Sequence, residues 1–123
     1  MKFVTNRMEA DVVLRRAKGC YSCADLNRVE SNVKTLCQMA AEIGVEVAVS
    51  TKTDWGTPGE FDPAAWPTEM QMARYLKNVQ DLCAALGLRV RLPASMRHLT
   101  VAGANDIEIA LCQAYEEIRR RME

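Results

Sequence analysis

The chain is organised around residues 92–108, LPASMRHLTVAGANDIE, a connector that starts with Leu-Pro and runs into the last helix. The final four residues of this stretch, NDIE at 105–108, repeat the pattern of NRVE at 27–30. Both tetrapeptides lie near the predicted start of a helix, because each precedes or opens a run of apolar residues at helical spacing. The repeated pattern therefore relates two helices that are far apart in the sequence.

The last helix is predicted to start between Ala102 and Asn105 and to end at about Met122. Its apolar residues recur at steps of three and four, which is the spacing of an amphipathic helix. Acidic residues near its start and the arginines at 119–121 near its end both suit the helix dipole.

Two further long helices precede the connector. One opens after Ser22, whose spacing to Asp25 resembles a capping box, and its apolar stripe ends at Gly44. The other opens after Thr68, which has the same spacing to Gln71, and it ends before Gly87. Residues 7–18 predict a shorter helix, which is too short to be stable without packing against a neighbour.

These elements predict an all-α fold: a compact bundle of three long helices plus a short N-terminal helix, in one domain of residues 1–123. A chain of 123 residues is long enough to bury a core without crosslinks. Residues 45–50 and 88–92 alternate apolar and polar side chains, so they could pair as a minor two-stranded β element.

A long connection at about residues 44–67 carries three large aromatic residues, Trp55, Phe61 and Trp66. Aromatic residues on loops are frequent anchors of protein interfaces. The alternative is that they fold back and cover the open side of the bundle. The sequence leaves both interpretations open.

Charge and hydropathy exclude several classes of function. The chain has 16 basic and 16 acidic residues, so it has no overall charge that favours nucleic acid or an anionic membrane. It has no apolar run long enough for a membrane span and no apolar core of a secretory signal near the N-terminus. We therefore expect a cytosolic protein without nucleic-acid or membrane partners.

Candidate chemistry is limited to Cys20 and Cys23, which form a Cys-x-x-Cys motif. This spacing could bind zinc or form a redox pair. The sequence offers no second cysteine pair, and His98 is the only histidine, so ordinary thiols are the favoured interpretation. No pattern typical of a catalytic triad or a phosphate-binding loop occurs, so we expect neither enzymatic activity nor a cofactor.

Several segments together resemble a known family. They are residues 25–30 (DLNRVE), 52–55 (KTDW), 67–79 (PTEMQMARYLKNV), 92–96 (LPASM) and 103–108 (GANDIE). In this order they are similar to the small helical module of structural proteins from tailed phages and prophages of Firmicutes, usually tail or baseplate components. The resemblance spans about residues 18–111.

The resemblance implies a non-enzymatic virion or prophage part that assembles with itself or with other virion proteins. It also draws attention to four residues near helix starts, which we expect to have a structural role by binding free backbone amides there and one another across the bundle: Asn27, Glu30, Asn105 and Glu108. The alternative is a small phage-encoded protein that binds a host protein. A thiol or zinc protein that uses Cys20 and Cys23 is the third class.

Overall fold

The computed structural model describes residues 1–13, 22–56 and 67–123, and these residues form four helices. The helices are α1 (Glu9–Val13), α2 (Cys23–Glu42), α3 (Glu69–Ala85) and α4 (Val101–Met122). The three long helices pack against one another pairwise. The predicted all-α bundle is therefore confirmed. The predicted N-terminal helix, residues 7–18, extends beyond the described residues, which contain only α1.

Local capping residues explain where the long helices begin. The Ser22 hydroxyl accepts a hydrogen bond from the Asp25 amide, and the Asp25 carboxylate accepts one from the Ser22 amide, so the predicted capping box is present. The Thr68 hydroxyl caps α3 in a similar way. Helix α4 begins earlier than predicted, at Val101, because the Thr100 hydroxyl accepts from the Gly103 amide and caps the helix there.

The core consists of the apolar stripes of the three long helices together with one residue from the connection after α2. That residue is Trp55, of which only 1% is exposed. Burying these stripes against each other is the main contribution of the hydrophobic effect to this fold. The central helical core residues are Val29, Val33, Leu36 and Ala40 of α2, Val79, Leu82 and Cys83 of α3, and Ile107, Leu111, Ala114 and Ile118 of α4.

The expected two-stranded β element is wrong for the described residues, which contain no strand. Residues 45–49 and 88–92 are instead two straps that run back over the helices. The apolar residues of each strap, such as Val47 and Val90, are half-buried against the helical core. An alternating pattern indicates that one face is buried, and an unpaired strap packed on helices satisfies this pattern as well as a strand within a sheet does.

Both straps leave their helices through the same turn. Gly44 after α2 and Gly87 after α3 have positive φ angles of 84° and 73°. The next residues, Val45 and Leu88, donate their amides to carbonyls five residues back. This is the Schellman motif, in which glycine adopts the left-handed conformation without steric cost.

We expect Gly56→Ala to destabilise the protein by about 1–3 kcal/mol more than Gly87→Ala. Both glycines have a positive φ, so both variants carry the backbone strain. A Cβ at position 56 would lie 2.9 Å from both Cβ and Sγ of Cys23, whereas one at position 87 would meet no atom within 4 Å. Urea unfolding of both variants measures the difference, and equal losses would contradict the close contact.

Candidate functional site

Helix α2 binds residues 52–55 through the main chain of that segment. The Asn27 side chain does this at Trp55: its Oδ1 accepts from the Trp55 amide at 2.7 Å, and its Nδ2 donates to the Trp55 carbonyl at 3.0 Å. One turn further along α2, Glu30 Oε1 accepts from the Lys52 amide at 3.1 Å. We call Asn27 and Glu30 with the segment they hold the α2 clamp.

Glu30 accepts hydrogen bonds from three residues, Lys52, Trp55 and Arg74, and it is only 1% exposed. Its carboxylate accepts from the indole Nε1 of Trp55 and pairs with both terminal nitrogens of Arg74, at 2.7 and 3.0 Å. Arg74 also donates to the Ser50 carbonyl at the end of the strap. A buried carboxylate is tolerated when it is paired and hydrogen-bonded in this way.

Helix α4 binds residues 4–7 of the N-terminal segment with the same arrangement. Asn105 Oδ1 accepts from the Arg7 amide at 3.0 Å, and Asn105 Nδ2 donates to the Arg7 carbonyl at 2.9 Å. One turn further along α4, Glu108 Oε1 accepts from the Val4 amide at 2.9 Å. Asn105 and Glu108 with this segment form the α4 clamp.

The Glu108 carboxylate is fully buried and lies between two guanidinium groups. Arg28 donates to both of its oxygens, at 3.2 and 2.7 Å, and Arg7 Nη2 lies 2.7 Å from Oε2. Asp25 pairs with both arginines as a second carboxylate. Burial alone would lower the pKa of Arg28, but its hydrogen bonds and charge interactions with Glu108 and Asp25 raise that pKa above its ordinary value. The two carboxylates and the two guanidinium groups therefore form one paired network between α2, α4 and the N-terminal segment.

The two clamps are equivalent in detail. In each, the asparagine binds both main-chain groups of one segment residue, and the glutamate binds the amide of the residue three positions earlier. Each glutamate also takes a bidentate arginine, Arg74 in the α2 clamp and Arg28 in the α4 clamp. The bound segments, VTNR and KTDW, share threonine followed by asparagine or aspartate. The chain thus contains the same device twice.

The structure brings each predicted asparagine together with the glutamate of its own motif, and it gives all four side chains a main-chain amide to bind. These amides belong to the segments that the two clamps bind, residues 52–55 and 4–7. They are not those of the helix starts, where Ser22 and Thr100 act as caps. The repeated Asn-x-x-Glu pattern was visible in the sequence, whereas the segments that it binds were missed. The shared Thr-Asx pair of those segments is the signal that could have found them.

Of the three aromatic residues considered as interface anchors, only Trp55 lies within the described residues. It is buried in the core and is therefore not presented to a partner, because its indole packs among the helices and donates to Glu30. For Trp55, the structure favours the alternative that it covers the bundle. Phe61 and Trp66 lie outside the described residues.

The thiols of the described residues are dispersed. Cys23 and Cys112 are half-buried, while Cys37 and Cys83 are buried in the core. The described part of the chain contains no group of three or more metal-ligating side chains. Cys20, the other half of the Cys-x-x-Cys motif, lies outside the described residues.

We expect Cys83 to react with iodoacetamide much more slowly than Cys112 at about pH 8, where thiols normally begin to ionise. Burial raises the pKa of Cys83 to about 11, so its reactive thiolate is scarce, and its Sγ also lies 3.7 Å from the Ala110 carbonyl oxygen. Desolvation and nearby Glu116 raise the pKa of Cys112 as well, but Cys112 is only half-buried and the reagent can reach it. Mass spectrometry of timed digests measures both rates. In denaturant the two rates should become equal, and equal rates in the folded protein would contradict the burial of Cys83.

A groove of about 1300 Å³ runs between α3 and residues 88–97. Its lining is mainly apolar, and its charged rim includes Lys77, Arg89 and Arg97. Arg97 pairs with Glu69 across the rim at 3.5 Å.

Comparisons with known proteins identified no relative of this chain. No protein-family model matches the chain, and no match was found among curated proteins or solved structures. Within the described residues, no helix combines the length and the apolar character needed to cross a membrane.

Proposed function

We propose that this chain is a non-enzymatic structural and interaction module of a tailed phage or prophage, of the tail or baseplate type. Its expected partners are other copies of itself or other virion proteins. In this proposal the protein is made in the bacterial cytoplasm and becomes part of a virion when the particle assembles.

The observation that supports the proposal most directly is the use made of the motif residues. The family resemblance rests on segments that include all four clamp residues, Asn27, Glu30, Asn105 and Glu108. These side chains hold residues 52–55 on α2 and residues 4–7 on α4. Their polar atoms are engaged by main-chain groups and by arginines. Polar groups used in this way build a rigid scaffold, which is what an assembly module requires.

The segment at 67–79, which is also part of the resemblance, contributes to the same scaffold. Arg74 completes the α2 clamp, and Asn78 donates to the Ser50 carbonyl at 2.7 Å. The resemblance therefore coincides with residues that determine architecture. This supports a role in which the surface of the module, and not a reaction centre, carries the function.

Native mass spectrometry of the purified, reduced protein tests the proposal. We expect a defined oligomer without a retained metal ion. A monomer at every concentration that binds one host protein stoichiometrically would contradict the proposal and favour the host-binding alternative. A zinc-sized mass increment that disappears in Cys20→Ser would contradict it in favour of a metal protein.

A further inference from the structure

The two clamps bind main chain identically but differ at the fourth residue of the bound segment. In the α2 clamp this residue is Trp55, whose indole belongs to the hydrophobic core. In the α4 clamp it is Arg7, which is 6% exposed and pairs with Glu108 and Asp25. The first segment is therefore part of the core, whereas the second is held mainly by polar contacts.

This difference decides which segment can leave its helix. Release of residues 52–55 would expose Trp55, and an indole carries a large apolar surface. The core cluster of the described residues includes none from positions 1–13, and Phe3 packs against it only partly. Release of residues 2–7 would therefore withdraw the Phe3 ring from Tyr115 and the core, but it would remove none of the buried core residues.

Release of residues 4–7 would not leave a buried charge unpaired in the α4 clamp. If residues 4–7 leave, Glu108 keeps its bidentate partner Arg28, so the buried carboxylate is not left without a counter-charge. Release of the segment would also free the polar side chains of Asn105, Asp25 and Asn32. Asn105 accepts from and donates to the Arg7 main chain, Asp25 pairs with the Arg7 guanidinium, and Asn32 donates to the Lys2 carbonyl. Such groups can be hydrated while the site is open.

The vacated site would have clear requirements for a ligand. The ligand needs a main-chain amide that can donate to Glu108, as Val4 does. Three positions later it needs an arginine that binds Asn105 through its main chain and Glu108 through its guanidinium, as Arg7 does. The Lys2 carbonyl accepts from Asn32 at 2.8 Å, and the Phe3 ring lies 6.1 Å from the ring of Tyr115 on α4. Residues 2–7 carry all these contact groups themselves, so the same segment of a second copy fits the site equally well.

We propose that the α4 clamp is a docking site between copies: in the assembly, residues 2–7 of one copy occupy the α4 clamp of a neighbouring copy. Exchange of an identical element is a low-cost route to an oligomer, because each contact of the closed chain is reformed between chains. A free chain closes its own clamp. A neighbour competes when its local concentration approaches the effective concentration of the tethered segment, which is on the order of 1 mM. This proposal rests on the assembly function proposed above.

Photo-crosslinking of the full chain tests the exchange. Phe3 is replaced by p-benzoylphenylalanine, and this protein is mixed with ¹⁵N-labelled unmodified protein before irradiation. Digestion with trypsin then yields a crosslink between the peptide that ends at Arg7 and the peptide that contains Tyr115. We expect the labelled fraction of this crosslink to rise as the protein concentration increases from about 10 µM to about 1 mM.

A donor variant and a matched control sharpen the experiment. Arg7→Glu in the modified chain places a carboxylate beside Glu108 and Asp25, and we expect it to reduce labelled crosslinks about tenfold or more. This variant lacks the tryptic site at position 7, so its crosslinked donor peptide ends at Arg15 instead. Arg97→Glu changes the same charge on an exposed residue and should leave them unchanged. Far-UV circular dichroism of both variants checks that the helices remain folded.

The outcomes separate this inference from the proposed function. If native mass spectrometry detects the oligomer but every crosslink remains within one chain at about 1 mM, the exchange is wrong and the assembly function stands. If labelled crosslinks form at that concentration but are equally abundant with Arg7→Glu, contact between copies does not use the α4 clamp, and the proposal is overturned. A protein that is monomeric throughout contradicts the assembly function itself.

Discussion

Replacement of Glu30 by alanine is expected to lower the free energy of unfolding by about 3–5 kcal/mol, because it breaks a buried ion pair by removing one partner. The variant leaves Arg74 without its bidentate carboxylate and leaves the Lys52 amide and the Trp55 indole without their acceptor. Loss of acceptors for partly buried donors adds a desolvation cost that an exposed salt bridge does not have.

Urea unfolding followed by circular dichroism measures this loss. Glu42→Ala is the matched control, since Glu42 lies on the same helix and is exposed, and we expect a change within about 0.5 kcal/mol. A second measurement reports on the clamp itself: hydrogen exchange at the Trp55 indole should accelerate more than exchange at helical amides of α4. If Glu30→Ala and Glu42→Ala are equally stable, the α2 clamp does not contribute as described.

Replacement of Glu108 by alanine is expected to cost about 3 kcal/mol, at the lower end of the range for a broken buried ion pair. Glu108 pairs with Arg28 and Arg7, and both arginines keep Asp25 as a second partner after the substitution. The Val4 amide loses its acceptor as well. The remaining carboxylate is why we expect a smaller effect than for Glu30→Ala.

Hydrogen exchange distinguishes this variant from a general loss of stability. The amides of Val4 and Arg7 should lose protection, while those of Lys52 and Trp55 should keep theirs, because the two clamps hold different segments. Glu116→Ala on the exposed face of α4 serves as the control for helix propensity and charge. Equal loss of protection in both segments would mean that the clamps open together.

The sequence by itself determined the helical elements, because the signals for helices are local. Ser22 with Asp25 predicted the capping box of α2, and Gly44 and Gly87 predicted where two helices end. The buried stripes followed from apolar residues at helical spacing, such as Leu36 in α2 and Leu111 in α4. Hydrogen bonds within one turn and the period of a helix depend on near neighbours, so they can be inferred from the sequence.

The Asn-x-x-Glu pattern was equally visible, but the groups that it binds were decided only by the tertiary structure. Asn27 binds a residue 28 positions away and Asn105 one 98 positions away, and in both cases the groups bound are main-chain amides and carbonyls. Every residue except proline carries both groups, so the bound groups themselves leave no signature, and only the Thr-Asx pair that the two segments share could have indicated their position. The tertiary structure therefore decided which segment each clamp binds.

For the two straps, too, the sequence predicted a local property correctly but not the tertiary contact. Alternation in residues 45–49 and 88–92 correctly indicated one buried face in each segment, and the straps do bury Val47 and Val90 partly. The expected pairing was wrong because an alternating pattern reports which face is buried and does not specify whether the backbone pairs with another strand. Here the helices already provided an apolar surface, and Arg74 and Asn78 bound the Ser50 carbonyl at the end of the first strap. The sequence determined the elements and their buried faces, whereas the packing of three helices decided what those faces contact.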